Sequence, residues 1–208
     1  MNPLLRSASL ALLALFTLLP AVVQAGVPSA SNSTVPPCLL ACPLGDITYT
    51  VVVRDFANNP ELGSTVAIDF SSCPAVSVCT FVQDPKYTYD ANARVVRGIT
   101  DNTGTVTFGL HAGGLCAANV RVYADGVLLA TPRMASPDQN GDQLVIGSDF
   151  TIFEAKLGTS DLTADFDCNG VVDSDDQNIG GQHGSHSCYG IVNPVQKRTW
   201  GTVKSFYR

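Results

Sequence analysis

Residues 51–70 read VVVRDFANNPELGSTVAIDF. Val51 and Val53 share one face with Ile47 and Tyr49 before them, and Val66, Ile68 and Phe70 repeat the same spacing after a break. Successive side chains of an extended chain point to opposite faces, so this period of two buries one row and wets the other. The break holds Asn58-Asn59-Pro60 and Gly63. Proline removes a ladder donor, and asparagine and glycine accept turn angles, so the segment is two strands around a turn.

The same pattern continues outward. Val106, Phe108 and Leu110 alternate after Asp101-Asn102-Thr103-Gly104, and Val120 and Val122 lead into Asp125-Gly126, a strong hairpin signal, with Val127 to Leu129 beyond it. No stretch between 45 and 131 repeats with helical spacing. The expected fold class is therefore mainly β: an antiparallel β-sandwich of about seven strands over residues 45–131. The stretches VVVRDFANNPELGSTVAIDF and TDNTGTVTFGL resemble the immunoglobulin-like or prealbumin-like sandwich modules of bacterial surface proteins. That resemblance implies a spacer or adhesive role and no chemistry.

Upstream, residues 1–25 read as a signal peptide: Arg6, the apolar run Leu10 to Leu19, and the small-residue cleavage site Val23-Gln24-Ala25. The run is too short for a stable membrane span, and no later segment is apolar enough, so the mature chain is expected to start near Gly26 without a transmembrane segment. The expected location is extracellular or on the cell surface. Residues 26–44, rich in Ser, Pro and Ala, read as an exposed leader, and Asn32-Ser33-Thr34 is a glycosylation acceptor pattern. All seven cysteines follow the cleavage site, and their spacing fits no zinc pattern. Proximity in sequence suggests Cys73 with Cys79 and Cys168 with Cys188. Cys38 and Cys42 pair with each other or link elsewhere, and Cys116 is the expected odd thiol.

The net charge is −6, and ten of the eighteen acidic residues fall between Asp138 and Asp176. Beyond Asp176 there are none, while Lys197, Arg198, Lys204 and Arg208 are basic. An acidic module of this kind repels phosphate, which argues against a nucleic-acid partner.

Two stretches carry the chemistry. Residues 138–149 read DQNGDQLVIGSD, and residues 165–176 read DFDCNGVVDSDD. Oxygen-bearing side chains stand at the first, third, fifth and twelfth positions of each: Asp138, Asn140, Asp142 and Asp149, then Asp165, Asp167, Asn169 and Asp176. Calcium is a hard cation that takes six to eight oxygens, and a twelve-residue loop supplies them from alternating side chains, a seventh-position carbonyl and a closing carboxylate. Leu144 and Val171 hold the carbonyl positions, and Asp173, at the ninth position, can carry a ligating water. Val145 and Val172, at the eighth positions, turn inward and can pack across the pair. Two calcium ions are expected. Gly170 suits the sharp turn at the sixth position and Gln143 does not, so the second loop is expected to bind better.

The duplicated loop pair resembles a type I dockerin module, here over residues 136–188. SDFTIFEAKLG, with Phe150, Ile152, Phe153 and Leu157, suits a short amphipathic helix ended by Gly158. In dockerins the helix after each loop, with the tenth and eleventh loop residues, forms the face that docks a cohesin. Those residues are Gly147 and Ser148, then Ser174 and Asp175. The sequence departs from the family after the second loop: QNIGGQHGSHSC contains Gly180, Gly181 and Gly184 and is a poor helix. A Cys168–Cys188 bond would replace the missing packing with a clamp.

His183 and His186 have HxxH spacing beside the second loop, which leaves zinc ligation open, but the flanking glycines make a surface turn the simpler reading, and His111 reads as an exposed strand end. HExxH, GxSxG and phosphate-loop motifs are lacking. The tail 189–208 interleaves Trp200, Phe206 and Tyr207 with basic residues, as a loose tail or an anchoring segment. The function these features suggest is non-catalytic: a secreted calcium-binding module that associates with a protein partner, cohesin-like or a second copy. The alternatives are a carbohydrate- or matrix-binding module and a subunit of an extracellular fibre that uses its edge strands, odd cysteine and tail.

Overall fold

The computed structural model describes residues 26–80 and 86–191. The signal-peptide reading and residues 192–208 of the tail lie outside them. Among the described residues the chain is mainly β, with several antiparallel sheets and two short helices. Its strands run β1 (Cys38–Leu40), β2 (Thr48–Val52), β3 (Thr65–Asp69), β4 (Ser77–Val78), β5 (Thr88–Asp90), β6 (Val95–Ile99), β7 (Thr105–Gly109), β8 (Ala112–Gly113), β9 (Arg121–Ala124), β10 (Val127–Ala130) and β11 (Arg133–Ala135). The helices α1 (Gly147–Glu154) and α2 (Ser174–Gln182) follow, then β12 (His186–Ser187) and β13 (Gly190–Ile191).

Five strands form one antiparallel sheet in the order β10-β9-β3-β6-β5. β2 and β7 form a separate antiparallel pair. The alternating rows of both contribute to one core. Val66, Ile68, Val96 and Val122 from one side share a core with Tyr49, Val51, Val106 and Phe108 from the other, all buried. The β9–β10 hairpin turns at Asp125 and Gly126, with φ of 47° and 84°. Both angles are left-handed, as a tight two-residue turn that follows strand twist requires. Asp125 also ties the hairpin to β3, because its Oδ1 accepts the Thr65 N–H at 2.9 Å.

The flanks are not free. Residues 26–44, expected as an exposed leader, lie partly within the fold. Thr34 exchanges both backbone bonds with Val52 at 2.8 and 2.9 Å, and Ser29, with no exposed surface, donates its N–H to the Arg54 carbonyl at 2.8 Å. β1 pairs in parallel with β11, which sets Leu39 beside Met134, and both are buried in the same core. Proline does not prevent this, because its carbonyl still accepts: Pro37 takes the Arg133 N–H at 3.0 Å and Pro36 takes the Tyr49 hydroxyl at 2.8 Å.

The disulfides differ from the sequence expectation. They join Cys38 to Cys168, Cys73 to Cys116 and Cys79 to Cys188, with Cα–Cα distances of 6.2, 4.8 and 5.7 Å. Cys42, not Cys116, is the free cysteine, and it is buried. Pairing by nearness along the chain fails because strands return distant residues to one place. Two of the three bonds fasten the β body to the acidic region. That region has its own small core of Ala135, Phe153, Ala164, Phe166 and Val172, with Leu40 packed on it from β1.

Candidate functional site

The two acidic loops adopt one conformation twice. In the first, the Asn140 Oδ1 accepts the Asp142 N–H at 2.8 Å and the Asp142 Oδ1 accepts the Leu144 N–H at 3.0 Å. In the second, the Asp167 Oδ1 accepts the Asn169 N–H at 3.0 Å and the Asn169 Oδ1 accepts the Val171 N–H at 2.8 Å. Each short side chain thus fixes the backbone two residues on, which is why Asp and Asn recur at alternate positions. The closing residues match as well. Asp149 accepts from the N–H groups of Gln139, Asn140 and Ile146 at 2.9, 3.1 and 2.9 Å. Asp176 accepts from Phe166, and from Asp167 and Asp173 at 3.0 and 2.9 Å.

These bonds draw the carboxylates together. One oxygen each from Asp138, Asp142 and Asp149 lies within 4.8 Å of the others, and so do oxygens of Asp165, Asp167 and Asp176. Asp138, Asp165 and Asp176 have no exposed surface, and Asp149 has 1 %. Asn140 and Asn169 lie against these groups, donating to the Asp142 and Asp167 carboxylates at 3.0 and 2.9 Å. Leu144 and Val171 stand at the seventh positions with their N–H groups fixed. Asp173 is not among the converging carboxylates, because its Oδ1 caps α2 by accepting the Asp175 N–H at 2.8 Å. Carboxylate, amide and carbonyl oxygens with no sulfur or nitrogen donor suit a hard cation of flexible coordination.

The duplication extends past the loops. Ile146 and Asp173 open the two helices with nearly the same angles, φ −139° and ψ −169° against φ −138° and ψ −161°. The fourth and sixth residues are left-handed in both loops: Gly141 and Gln143 at 76° and 70°, Cys168 and Gly170 at 67° and 96°. Val145 and Val172 are both fully buried, but their backbones do not pair with each other. Each bonds the segment after the other unit's helix. Val145 donates to His186 at 2.9 Å and accepts from Ser185 at 2.7 Å, while Val172 donates to Thr159 at 2.8 Å and accepts from Gly158 at 2.8 Å. Gly158 and Ser185 hold equivalent places and similar left-handed φ, 76° and 71°. A pseudo-twofold unit of loop, helix and return strand is the result.

Helix α2 corrects the expectation that QNIGGQHGSHSC is a poor helix. Asp173 supplies the cap, and the glycine at 180 has a packing use: a Cβ there would lie 3.1 Å from the Phe166 ring. Ser185 does carry a strain that Gly158 avoids, since a left-handed residue with a side chain is disfavoured. Ser185→Gly is expected to stabilise the protein by about 0.5 kcal/mol, strain relief exceeding the added unfolded-chain entropy. Urea unfolding midpoints of the two proteins check this.

Charge distinguishes the loops. Burial pushes Asp138 up to about 6 despite N–H donors from Gly141 and Gln143, with Asp149 and Asp142 adding repulsion. Burial also opposes ionisation of Asp165, but Arg133 and the Gly170 N–H hold it below the usual carboxylate range. The Arg133 Nη1 lies 2.7 Å from the Asp165 Oδ2. The expected advantage of the second loop rested on Gly170 and Asp173. Gln143 reaches the same backbone region, helped by its 2.7 Å bond to Ser77, and Asp173 is occupied as a cap. Arg133 is then the main difference, and it repels a cation. Arg133→Gln is expected to tighten calcium binding at the second loop by about tenfold, ~1.4 kcal/mol. Calorimetry of the two proteins reads the effect.

No family model matches the chain, and no curated protein matches it. Among solved structures, the adhesin InvE of Yersinia pseudotuberculosis is 24% identical over 53% of this chain, with a TM-score of 0.24. The chain spans 28% of that structure's length. A likeness this slight bears on neither fold nor function.

Proposed function

We propose that this is a secreted, non-catalytic calcium-binding protein. Two dockerin-like loops bind two calcium ions and order residues 138–188 against an immunoglobulin-like β body, and the ordered unit associates with another protein outside the cell. The observation that carries the reading is the pair of loops, 27 residues apart, each with three converging carboxylates and one hydrogen-bond pattern. The docking positions of dockerins, Gly147, Ser148, Ser174 and Asp175, are all exposed here, which leaves that face open to a partner. Three disulfides suit an oxidising compartment. Among the described residues no helix is long and apolar enough to cross a membrane.

A cohesin-like domain or a second copy of the chain is the expected partner. The fibre reading needs an accessible odd cysteine, and Cys42 is buried. Among the described residues of the β body, the carbohydrate reading finds one strongly exposed aromatic, Phe56 at 74 %, rather than a platform of several. Sedimentation velocity of the mature chain, alone and with a cohesin domain, in calcium and in chelator, tests the proposal. A mass increase that requires calcium is expected. Association of equal strength in chelator contradicts it.

A further inference from the structure

We propose that Cys42, Asp46, His183 and His186 form a transition-metal site, with zinc as the expected ion, that joins the β body to the end of α2. One ligand atom from each residue lies within 4.8 Å of all the others. The Cys42 Sγ is 3.6 Å from the His186 Nδ1, and the two Nδ1 atoms of His183 and His186 face each other at 3.3 Å. The Asp46 Oδ2 lies 3.1 Å from the first Nδ1 and 3.4 Å from the second. A tetrahedral zinc with bonds of 2.0–2.3 Å holds its ligand atoms roughly 3.3–3.8 Å apart. Three of these four separations fall in that range, and the His183–Asp46 one is 0.2 Å short of it. Hydrogen bonds satisfy the group less well, because one ring proton serves only one of the several lone pairs that meet. Sulfur, two imidazoles and a carboxylate form a borderline-soft donor set, unlike the all-oxygen loops.

The scaffold is rigid on both sides. The turn Cys42–Asp46 is closed by the Gly45 N–H on the Cys42 carbonyl at 2.8 Å, and the His111 ring lies so close to Gly45 that a Cβ would sit 2.4 Å from it. His111, expected as an exposed strand end, instead braces this turn through the Pro43 carbonyl at 3.1 Å. His183 ends α2, and its carbonyl takes the His186 N–H at 3.1 Å. Left-handed Ser185 then swings the chain so that both rings face the turn. A metal here also gives a role to Cys42, the one described cysteine outside a disulfide.

The test uses the mature chain, stripped with chelator and then saturated with calcium. Zinc competition against a chromophoric chelator should show one further ion per chain. Cobalt should give a thiolate charge-transfer band that Cys42→Ser abolishes. His183→Gln, at a partly exposed position, should weaken zinc by at least about tenfold, ~1.4 kcal/mol, with an unchanged near-ultraviolet spectrum. Asp138→Ala and Asp165→Ala should keep zinc binding, so failure of this site and failure of the calcium reading are distinguishable. Wild-type protein that takes up neither zinc nor cobalt, or a His183→Gln protein that binds zinc like wild type, overturns the proposal.

Glu61 supports a second, independent inference. It is 4 % exposed, its Oε1 has no hydrogen-bond partner, and its Oε2 accepts the Gly26 N–H at 3.1 Å. A Cβ on Gly26 would lie 2.3 Å from the Glu61 Oε1 and 2.9 Å from the Asp55 Oδ2, so both carboxylates crowd this residue. Asn59 already donates to Asp55 from its backbone and side-chain amides at 2.7 and 3.0 Å, but a neutral Gly26 amide leaves the Glu61 charge uncompensated. We infer that removal of the leader after Ala25 creates the missing cation. Water adds across the Ala25–Gly26 bond, the leader keeps a carboxylate, and the new Gly26 amine takes a proton and pairs with Glu61. Melting of a chain that starts at Gly26 is compared with that of one retaining Ala25, both in calcium. The Gly26 chain should melt at least about 2 °C higher, and Glu61→Gln should erase the difference. Equal melting of the two wild-type forms, or a secreted N-terminus mapped by mass spectrometry to another residue, overturns the inference.

Discussion

Calcium removal is expected to strip residues 138–188 of their order while the β body stays folded. In each loop three carboxylates lie within 4.8 Å of one another. Two like charges at 4 Å repel by about 4 kcal/mol at the effective dielectric of a protein surface. Arg133 offsets part of this at Asp165, and no described cation does so at Asp138. The acidic region has few apolar contacts to resist the repulsion, since its core is one cluster of five buried side chains centred on Phe153 and Phe166. An ion at a hundred times its Kd contributes about 2.7 kcal/mol per site, enough to decide whether such a region is ordered. Hydrogen exchange in calcium and in chelator reads the effect. Amides at Val145, Val172, Ser185 and His186, which close the pseudo-twofold unit, should lose protection. Amides in 48–52, 65–69 and 95–99 should keep theirs. Equal protection in both conditions contradicts the prediction.

Loss of either long disulfide is expected to be comparably severe. Cys38–Cys168 closes 130 residues and Cys79–Cys188 closes 109. A cross-link over about 100 residues stabilises by ~4.7 kcal/mol in the chain-entropy account. The Cys38→Ser/Cys168→Ser and Cys79→Ser/Cys188→Ser proteins should therefore each lose about 4–5 kcal/mol in calcium. Cys73→Ser/Cys116→Ser should lose about 1 kcal/mol less, because its loop spans only 43 residues. Denaturant unfolding gives the three values. A loss below about 1 kcal/mol for both long-loop proteins would mean that packing alone holds the acidic region to the β body.

The legible parts of the chain are those whose signals are local. Alternation in 47–53 and 66–70 marks faces that the shared core uses, and Asp125-Gly126 marks its hairpin because few residue pairs accept two left-handed angles. The loop carboxylates were legible for the same reason, each fixing a backbone group a few residues away. Long-range features were not. The three-residue strands β1 and β11 are too short to show a period, and their parallel pairing joins residues about 95 apart in the chain. Cysteine partners and the company of Cys42 depend on that same return of the chain. His183 and His186 stood out in the sequence, but Asp46, 137 residues from His183, did not. Helix α2 was obscured by its glycines, although continuing the 27-residue register would have placed it, and would have set Ser185 opposite Gly158.

Calcium titration of the metal-stripped mature chain by calorimetry tests the central claim most directly. Two ions should bind to the wild-type protein, and one each to Asp138→Ala and Asp165→Ala. Absence of binding heat in the wild type, or two ions retained by both variants, would contradict it.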